Sequence, residues 1–155
     1  MADQLIIFGS AYLFLFIPAL GLLFFATQPR SVQKRMLLFG GMLLPTAYLV
    51  GRLLQRFYYN PRPFVQNDVV PLIPHAPDNG FPSDHTLFAA AIAAAVFPFN
   101  KKLGTALALI TAVSGASRVL AGVHHGIDVL GSMVIAAFAG LMIYYAIKRY
   151  GKARL

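Results

Sequence analysis

His124 and Asp128 stand four positions apart, a spacing that puts imidazole and carboxylate on one face if the stretch is helical. The carboxylate can then hold the imidazole tautomer and leave the other ring nitrogen free to attack phosphorus. Arg62 and Arg118 carry planar guanidinium forks suited to clamping phosphoryl oxygens and neutralising charge that builds in a transition state. His85, from another segment, suits protonation of a departing oxygen. Ser83 precedes an apolar run, where it can cap a helix whose free backbone N–H groups point at phosphate. With no matching carboxylates for these arginines, the set describes a site for an anion that the substrate supplies.

The elements that must position these groups are apolar. Of the 155 residues, 58% are hydrophobic and only 12% charged, which makes lipid the expected solvent. Five apolar segments can be drawn, over residues 5–26, 36–59, 85–99, 103–122 and 127–147. Four are long enough to cross a hydrocarbon layer of about 30 Å. The third is short, and its alanine-rich run at 89–96 could begin below the membrane surface, which would sink its first residues into a pocket. Pro18 and Pro45 lie inside spans and are expected to kink them. The first segment has no basic n-region and no evident small-residue cleavage site, so it reads as a retained helix. The long polar stretch 60–84 carries six prolines, Asp68, Asp78, Asp84 and His75, a loop of a length that usually serves function. No repeat or second domain is visible, and residues 1–155 are read as one domain.

Charge orients the bundle. Arg30, Lys34, Arg35, Lys101, Lys102, Lys148, Arg149, Lys152 and Arg154 fall on one side, leaving Arg52, Arg56, Arg62 and Arg118 of the 13 basic residues for the other. The positive-inside rule makes the first side cytoplasmic, with the N-terminus outside and every candidate catalytic residue at the outer interface. The net charge of +8 is thus assigned to headgroups and the cytoplasmic face and not to nucleic acid. No cysteine is present, which excludes disulfide and thiolate chemistry. His75 and His125 lack a second matching partner and are read as loop or interface residues. Tyr58, Tyr59, Tyr144 and Tyr145 are read as interfacial anchors.

Taken together, the motifs resemble the type 2 phosphatidic acid phosphatase superfamily, whose signature is Lys-x6-Arg-Pro, Pro-Ser-Gly-His and Ser-Arg-x5-His-x3-Asp. The second part reads Pro82-Ser83-Asp84-His85, and the third, Ser117-Arg118 through His124 to Asp128, is a full match. The lysine position holds Gln55, with Arg56 beside it, and the glycine of the second part is Asp84. Arg56 is a candidate to supply the missing cation from a shifted register, since Arg52 and Arg56 share a helical face. The resemblance implies an acid phosphatase/vanadium haloperoxidase-like helical core and a phosphohistidine mechanism with His124 as nucleophile and His85 as general acid. Asp128 would then support His124, with phosphate bound by Arg62, Arg118, Ser83, Ser117, Asp84 and Gln55 or Arg56.

The runs Arg62-Pro63-Phe64-Val65, Leu72-Ile73-Pro74-His75-Ala76 and Phe81-Pro82-Ser83-Asp84-His85-Thr86 look like the bacterial undecaprenyl-diphosphate phosphatases associated with bacitracin resistance. That likeness implies hydrolysis of undecaprenyl pyrophosphate on the outer face of the cytoplasmic membrane, with recycling of the cell-wall carrier lipid. It implies lipid partners, no cofactor and no metal in the chemical step, although Asp68, Asp78 and Asp84 leave room for a weak activating ion. The superfamily core commonly has six spans where five are drawn here, a difference that bears on packing or dimerisation, and homo-oligomerisation stays open. The alternatives are a phosphatase of phosphatidylglycerophosphate, phosphatidate or another glycerolipid phosphate and, from another class, a non-catalytic anionic-lipid binder or transporter. Both histidines and Asp128 argue against the latter, because binding needs only the cations.

Overall fold

A computed structural model describes residues 1–67 and 69–150 of the chain, so Asp68, Lys152 and Arg154 lie outside the described residues. The architecture is an all-helical bundle: α1 (Ala2–Ala11), α2 (Phe16–Thr27), α3 (Arg30–Gln55), the single turn α4 (Pro63–Gln66), α5 (Asp84–Val96), α6 (Lys101–Leu120) and α7 (Gly126–Tyr150). Four stretches are long and apolar enough to cross a membrane: Ala2–Thr27, Arg30–Gln55, Lys101–Leu120 and Gly126–Arg149. The second ends at Gln55, short of the expected residue 59, because the chain turns there toward the site.

The first span is two helices. Pro18 has no N–H to offer the Phe14 carbonyl, and its ring crowds that carbonyl. The chain tightens into a 3₁₀ turn at Leu13–Leu15 and resumes as α2. Pro45 behaves differently, since α3 runs through it without a break.

The short α5, 13 residues and so about 20 Å long, is the axis of the bundle and packs against α2, α3, α6 and α7. Its alanines explain why: Ala89, Ala90, Ala91 and Ala93 are buried, and small side chains let neighbouring backbones approach closely where lipid gives no hydrophobic drive between helices. On α3 the buried residues Phe39, Leu43, Ala47 and Gly51 recur every four positions and face α5 and α7. Gly51 ends this stripe for a steric reason, since a Cβ there would come within 2.8 Å of Leu87. Leu22, Leu37, Leu109, Val134 and Phe138 are exposed around the outside, as lipid-facing positions require.

This arrangement brings the C-terminal ends of α3 and α6 together with the N-terminal ends of α5 and α7 at one end of the bundle. All the sequence-derived site residues are at that end. Arg30, Lys34, Arg35, Lys101, Lys102, Lys148 and Arg149 are on the helix segments at the other.

Candidate active site

The turn after α6 makes the pocket floor. Gly122 adopts φ +75, its N–H bonds to Val119 O at 3.0 Å, and the Val123 N–H bonds to Arg118 O at 3.2 Å. This is a Schellman closure, which needs a left-handed residue that glycine supplies without strain. The reversal folds His124 back beside Arg118, placing Arg118 Nη2 3.5 Å from His124 Nε2. Arg118 is itself anchored by the first span, with Nη1 donating to Ser10 O at 3.1 Å, while its Nε is buried without a hydrogen-bond partner among the described residues.

His124 and Asp128 meet, but not across one helical face. α7 begins at Gly126, so His124 precedes the helix and Asp128 lies in its first turn. Asp128 Oδ2 accepts from the His125 backbone N–H at 2.8 Å, the reach-back bond of a capping box, and lies 3.3 Å from His124 Nδ1. A carboxylate acceptor at Nδ1 leaves the lone pair on Nε2. The helix N-terminus favours the negative charge of Asp128, which is fully buried. Burial pushes the His124 pKa below the ordinary histidine range; Asp128 pulls the other way, and burial together with the charges of Arg118 and Arg62 prevails.

The long loop brings the second arginine. Asn79 Oδ1 accepts from the N–H groups of Asn60 (2.9 Å) and Phe81 (3.0 Å), and Gly80 N–H donates to Asn60 O at 2.8 Å. These bonds clip the two ends of the loop together, with an isolated bridge between Pro61 and Asn79. Arg62 then enters the core with 4% exposure. Its Nη1 donates to Val123 O at 2.7 Å and lies 3.1 Å from His124 Nε2. Its Nε donates to Asp78 at 2.7 Å. The expectation that neither arginine has a carboxylate is therefore corrected for Arg62, because the loop folds Asp78 onto it. Burial opposes ionisation of Asp78, but the hydrogen bond and charge of Arg62 hold its pKa below the usual carboxylate range.

The N-terminus of α5 forms the third wall. Ser83 occupies the N-cap position, but its hydroxyl does not cap the helix; it accepts from Thr86 Oγ1 at 3.1 Å. Ser83 is stitched to α7 instead, its N–H bonding Asp128 O at 3.3 Å, with the Ser132 hydroxyl 3.0 Å from Ser83 O. His85 packs its ring edge-on against Phe14 at 4.6 Å and lies within electrostatic reach of His124, Arg118 and Arg62. Asp84 pairs with Arg52 at 3.5 Å. Arg52 also bonds Gln55 Oε1 at 2.9 Å and lies over the Tyr48 ring.

The residue expected to stand in for the motif lysine lies apart from these contacts. Arg56 is exposed at the end of α3, and its side chain has no hydrogen bond or ion pair among the described residues. Arg52, one turn earlier, is the cation that faces Asp84. Ser117 donates to Val113 O at 3.0 Å and packs against Gly9, so its hydroxyl is engaged in the α1–α6 contact.

Sequence reasoning passed over Asn60 and set aside His75 and His125. Asn60 Nδ2 donates to Asp128 Oδ1 at 2.7 Å, and an asparagine before a proline reads simply as a turn residue. The His125 ring bonds Pro61 O at 3.1 Å, and the His75 ring stands edge-on to His124 with 5.9 Å between centroids. A buried imidazole with an oriented lone pair between two guanidiniums, beside a helix N-terminus and a second histidine, has the parts for phosphoryl transfer through a covalent histidine intermediate.

Residues 34–152 match the family model of the PAP2 superfamily. Over 112 residues the chain is 38% identical to undecaprenyl-diphosphatase BcrC of Bacillus subtilis (strain 168), an overlap of 72% of this chain and 58% of that protein. Over 146 residues it is 28% identical to the bacitracin transport permease protein BcrC of Bacillus licheniformis, covering 94% of this chain and 71% of that one. The fold is similar, with a TM-score of 0.62, to the crystal structure of the first transmembrane PAP2-type phosphatidylglycerolphosphate phosphatase from Bacillus subtilis. That likeness covers 99% of this chain and 80% of the other at 23% identity, and it speaks for the fold. With all three parts of the signature in order and the third complete, the chain belongs to the PAP2 superfamily.

Proposed function

We propose that this chain is a membrane lipid phosphatase that hydrolyses a polyprenyl diphosphate of the undecaprenyl type through a phosphohistidine at His124. The observation that carries the reading is the position of His124 Nε2, opposite the Asp128 bond and within 3.1 and 3.5 Å of Arg62 and Arg118 nitrogens. A phosphoryl group presented there meets the nucleophile and both counter-charges together. His124 Nε2 forms a bond to phosphorus while the bond to the lipid phosphate oxygen breaks, and His85 gives that oxygen its proton. Water then attacks the phosphohistidine, His85 takes up the proton, and inorganic phosphate leaves with His124 restored. The arginines supply the neutralising charge, so the step is proposed to need no metal or cofactor.

An apolar cleft of about 260 Å³ supports a lipid substrate. It runs between α3 and α5, with Arg52 and Asp84 at the site end and Leu44, Ala47, Leu87 and Ala91 below them. A prenyl or acyl chain in this cleft keeps its phosphate at the site end. The relative named undecaprenyl-diphosphatase favours the diphosphate. The segregation of basic residues favours an active site on the extracytoplasmic side of the cytoplasmic membrane, where carrier lipid is left as diphosphate after its cargo is transferred, and the whole chain works as one domain.

The test is phosphate release by the purified protein from undecaprenyl diphosphate and from phosphatidylglycerophosphate in the same detergent, with and without EDTA. Faster release from the diphosphate in both conditions is expected. Preference for the glycerolipid overturns the substrate, loss in EDTA with recovery on magnesium overturns the metal-free step, and no release from either overturns the enzyme reading.

A further inference from the structure

The loop between α4 and α5 crosses the site as a strap fastened at both ends. Leu72 N–H bonds Ala121 O at 3.0 Å, beside the turn that positions His124. Six residues on, Asp78 holds Arg62 at 2.7 Å. Pro74 and Pro77 fix φ between these anchors and reduce the freedom of the span. His75 lies at its middle, carried to an edge-on position 5.9 Å, centroid to centroid, from the imidazole of His124.

The state of His75 is unusual for a loop residue. Its Nδ1 is buried and has no hydrogen-bond partner among the described residues. Buried polar atoms are nearly always satisfied, and those left over at a functional site point to a partner that arrives with a ligand. Burial, with the charges of Arg62 and Arg118 behind it, pushes the His75 pKa below the ordinary histidine value, against the smaller opposing pull of the Ala76 backbone and Asp78. The ring therefore offers one N–H without adding a third positive charge beside the nucleophile.

We propose that His75 is a phosphate-binding residue whose ring N–H, at Nδ1, donates to an oxygen of the phosphoryl group held over His124. This adds to the two guanidinium forks a neutral donor from a third direction. An acceptor oxygen satisfies the orphaned nitrogen, and the anchors at Leu72 and Asp78 set its position before substrate arrives. The inference rests on the phosphatase reading, and its test does not need turnover.

Orthovanadate, a phosphoryl mimic, is titrated against purified wild type, His75→Phe and His75→Asn in detergent, and kcat and KM for the diphosphate are measured alongside. Phenylalanine keeps the ring and removes the donor; asparagine keeps an N–H near the Nδ1 position. His75→Phe is expected to weaken orthovanadate binding and kcat/KM by about ten- to a hundredfold, the range of one hydrogen bond to a charged acceptor. His75→Asn is expected to recover most of both. Orthovanadate binding to His75→Phe at wild-type strength overturns the proposal, as does an Asn variant as weak as Phe, which would mean that ring packing matters and not the donor. If the Phe variant does not fold, His75→Leu replaces it as the donorless form. A wild type that binds orthovanadate but releases no phosphate refutes the phosphatase reading while leaving this comparison intact.

Discussion

Asn60 donates to one oxygen of Asp128 at 2.7 Å while the other oxygen faces His124 Nδ1 at 3.3 Å, so a loop amide holds the carboxylate that holds the imidazole. Replacing Asn60 by leucine removes the donor but not the carboxylate. Asp128 keeps its bond from the His125 N–H but loses the second of its two restraints, so His124 is oriented less firmly. A fall in kcat of roughly ten- to a hundredfold is expected, with KM changed by less than about threefold, since the lost contact orients a catalytic group and does not bind substrate. Steady-state kinetics on the lipid diphosphate checks this, and an unchanged kcat with a raised KM would refute it.

His124→Ala is expected to lower kcat by about 10⁴-fold or more, the scale for loss of a nucleophile, while substrate affinity stays within an order of magnitude. Its neighbour differs. The His125 ring bonds Pro61 O, one hydrogen bond worth about 0.5–1.5 kcal/mol, so His125→Ala should cost less than about tenfold. Acid-labile radiolabel from a diphosphate labelled at its terminal β-phosphate should appear in wild type and in His125→Ala and be absent from His124→Ala. Label retained in the latter would move the nucleophile elsewhere.

The pH profile follows from the sign of one shift. His124 attacks only when neutral, and its pKa is lowered by burial and by Arg118 and Arg62. As pH falls, the neutral form persists past the ordinary histidine value of about 6.5 and is lost only below it. The acid limb of kcat/KM should therefore have its midpoint below about 6.5. Arg118→Gln removes one of the charges that lower this pKa, so the limb should move to higher pH even as the rate drops. A limb that does not move would detach it from His124.

Sidedness can be read with single cysteines, because the chain has none of its own. Gln66 is exposed at the end of α4 near the site, and Lys101 is exposed at the start of α6 at the opposite end of the bundle. Gln66→Cys should react with a membrane-impermeant maleimide in intact cells, and Lys101→Cys only after permeabilisation. The reverse pattern would put the pocket on the cytoplasmic side.

The helical bundle was legible because its signal is long. Twenty or so apolar residues between polar breaks can hardly be read otherwise, and the short fifth helix announced itself by its alanines. The site was legible in its residue types and less so in its joinery. His124 and Asp128 share an i, i+4 spacing, yet they meet through a capping box at the start of α7, a route that spacing cannot distinguish from a helical face. Asp78 and Asn60 were hidden because their partners lie 16 and 68 positions away and are set by how a proline-rich loop closes. The pairing of Arg52 with Asp84 was hidden for a simpler reason: register at a helix end depends on where the helix stops, and α3 stops four residues before the apolar pattern does.

The family match begins at residue 34, but Arg118 takes its backbone anchor from Ser10, Ser114 bonds Gly9 O at 3.0 Å, and His85 leans on Phe14. The stretch that the family model covers and the stretch that aims these side chains therefore have different edges. A helix ahead of the family match holds two groups inside it, so chains that share every signature residue can still differ in how firmly those residues are aimed. Exchanging this first span would change that aim without altering a single residue of the signature.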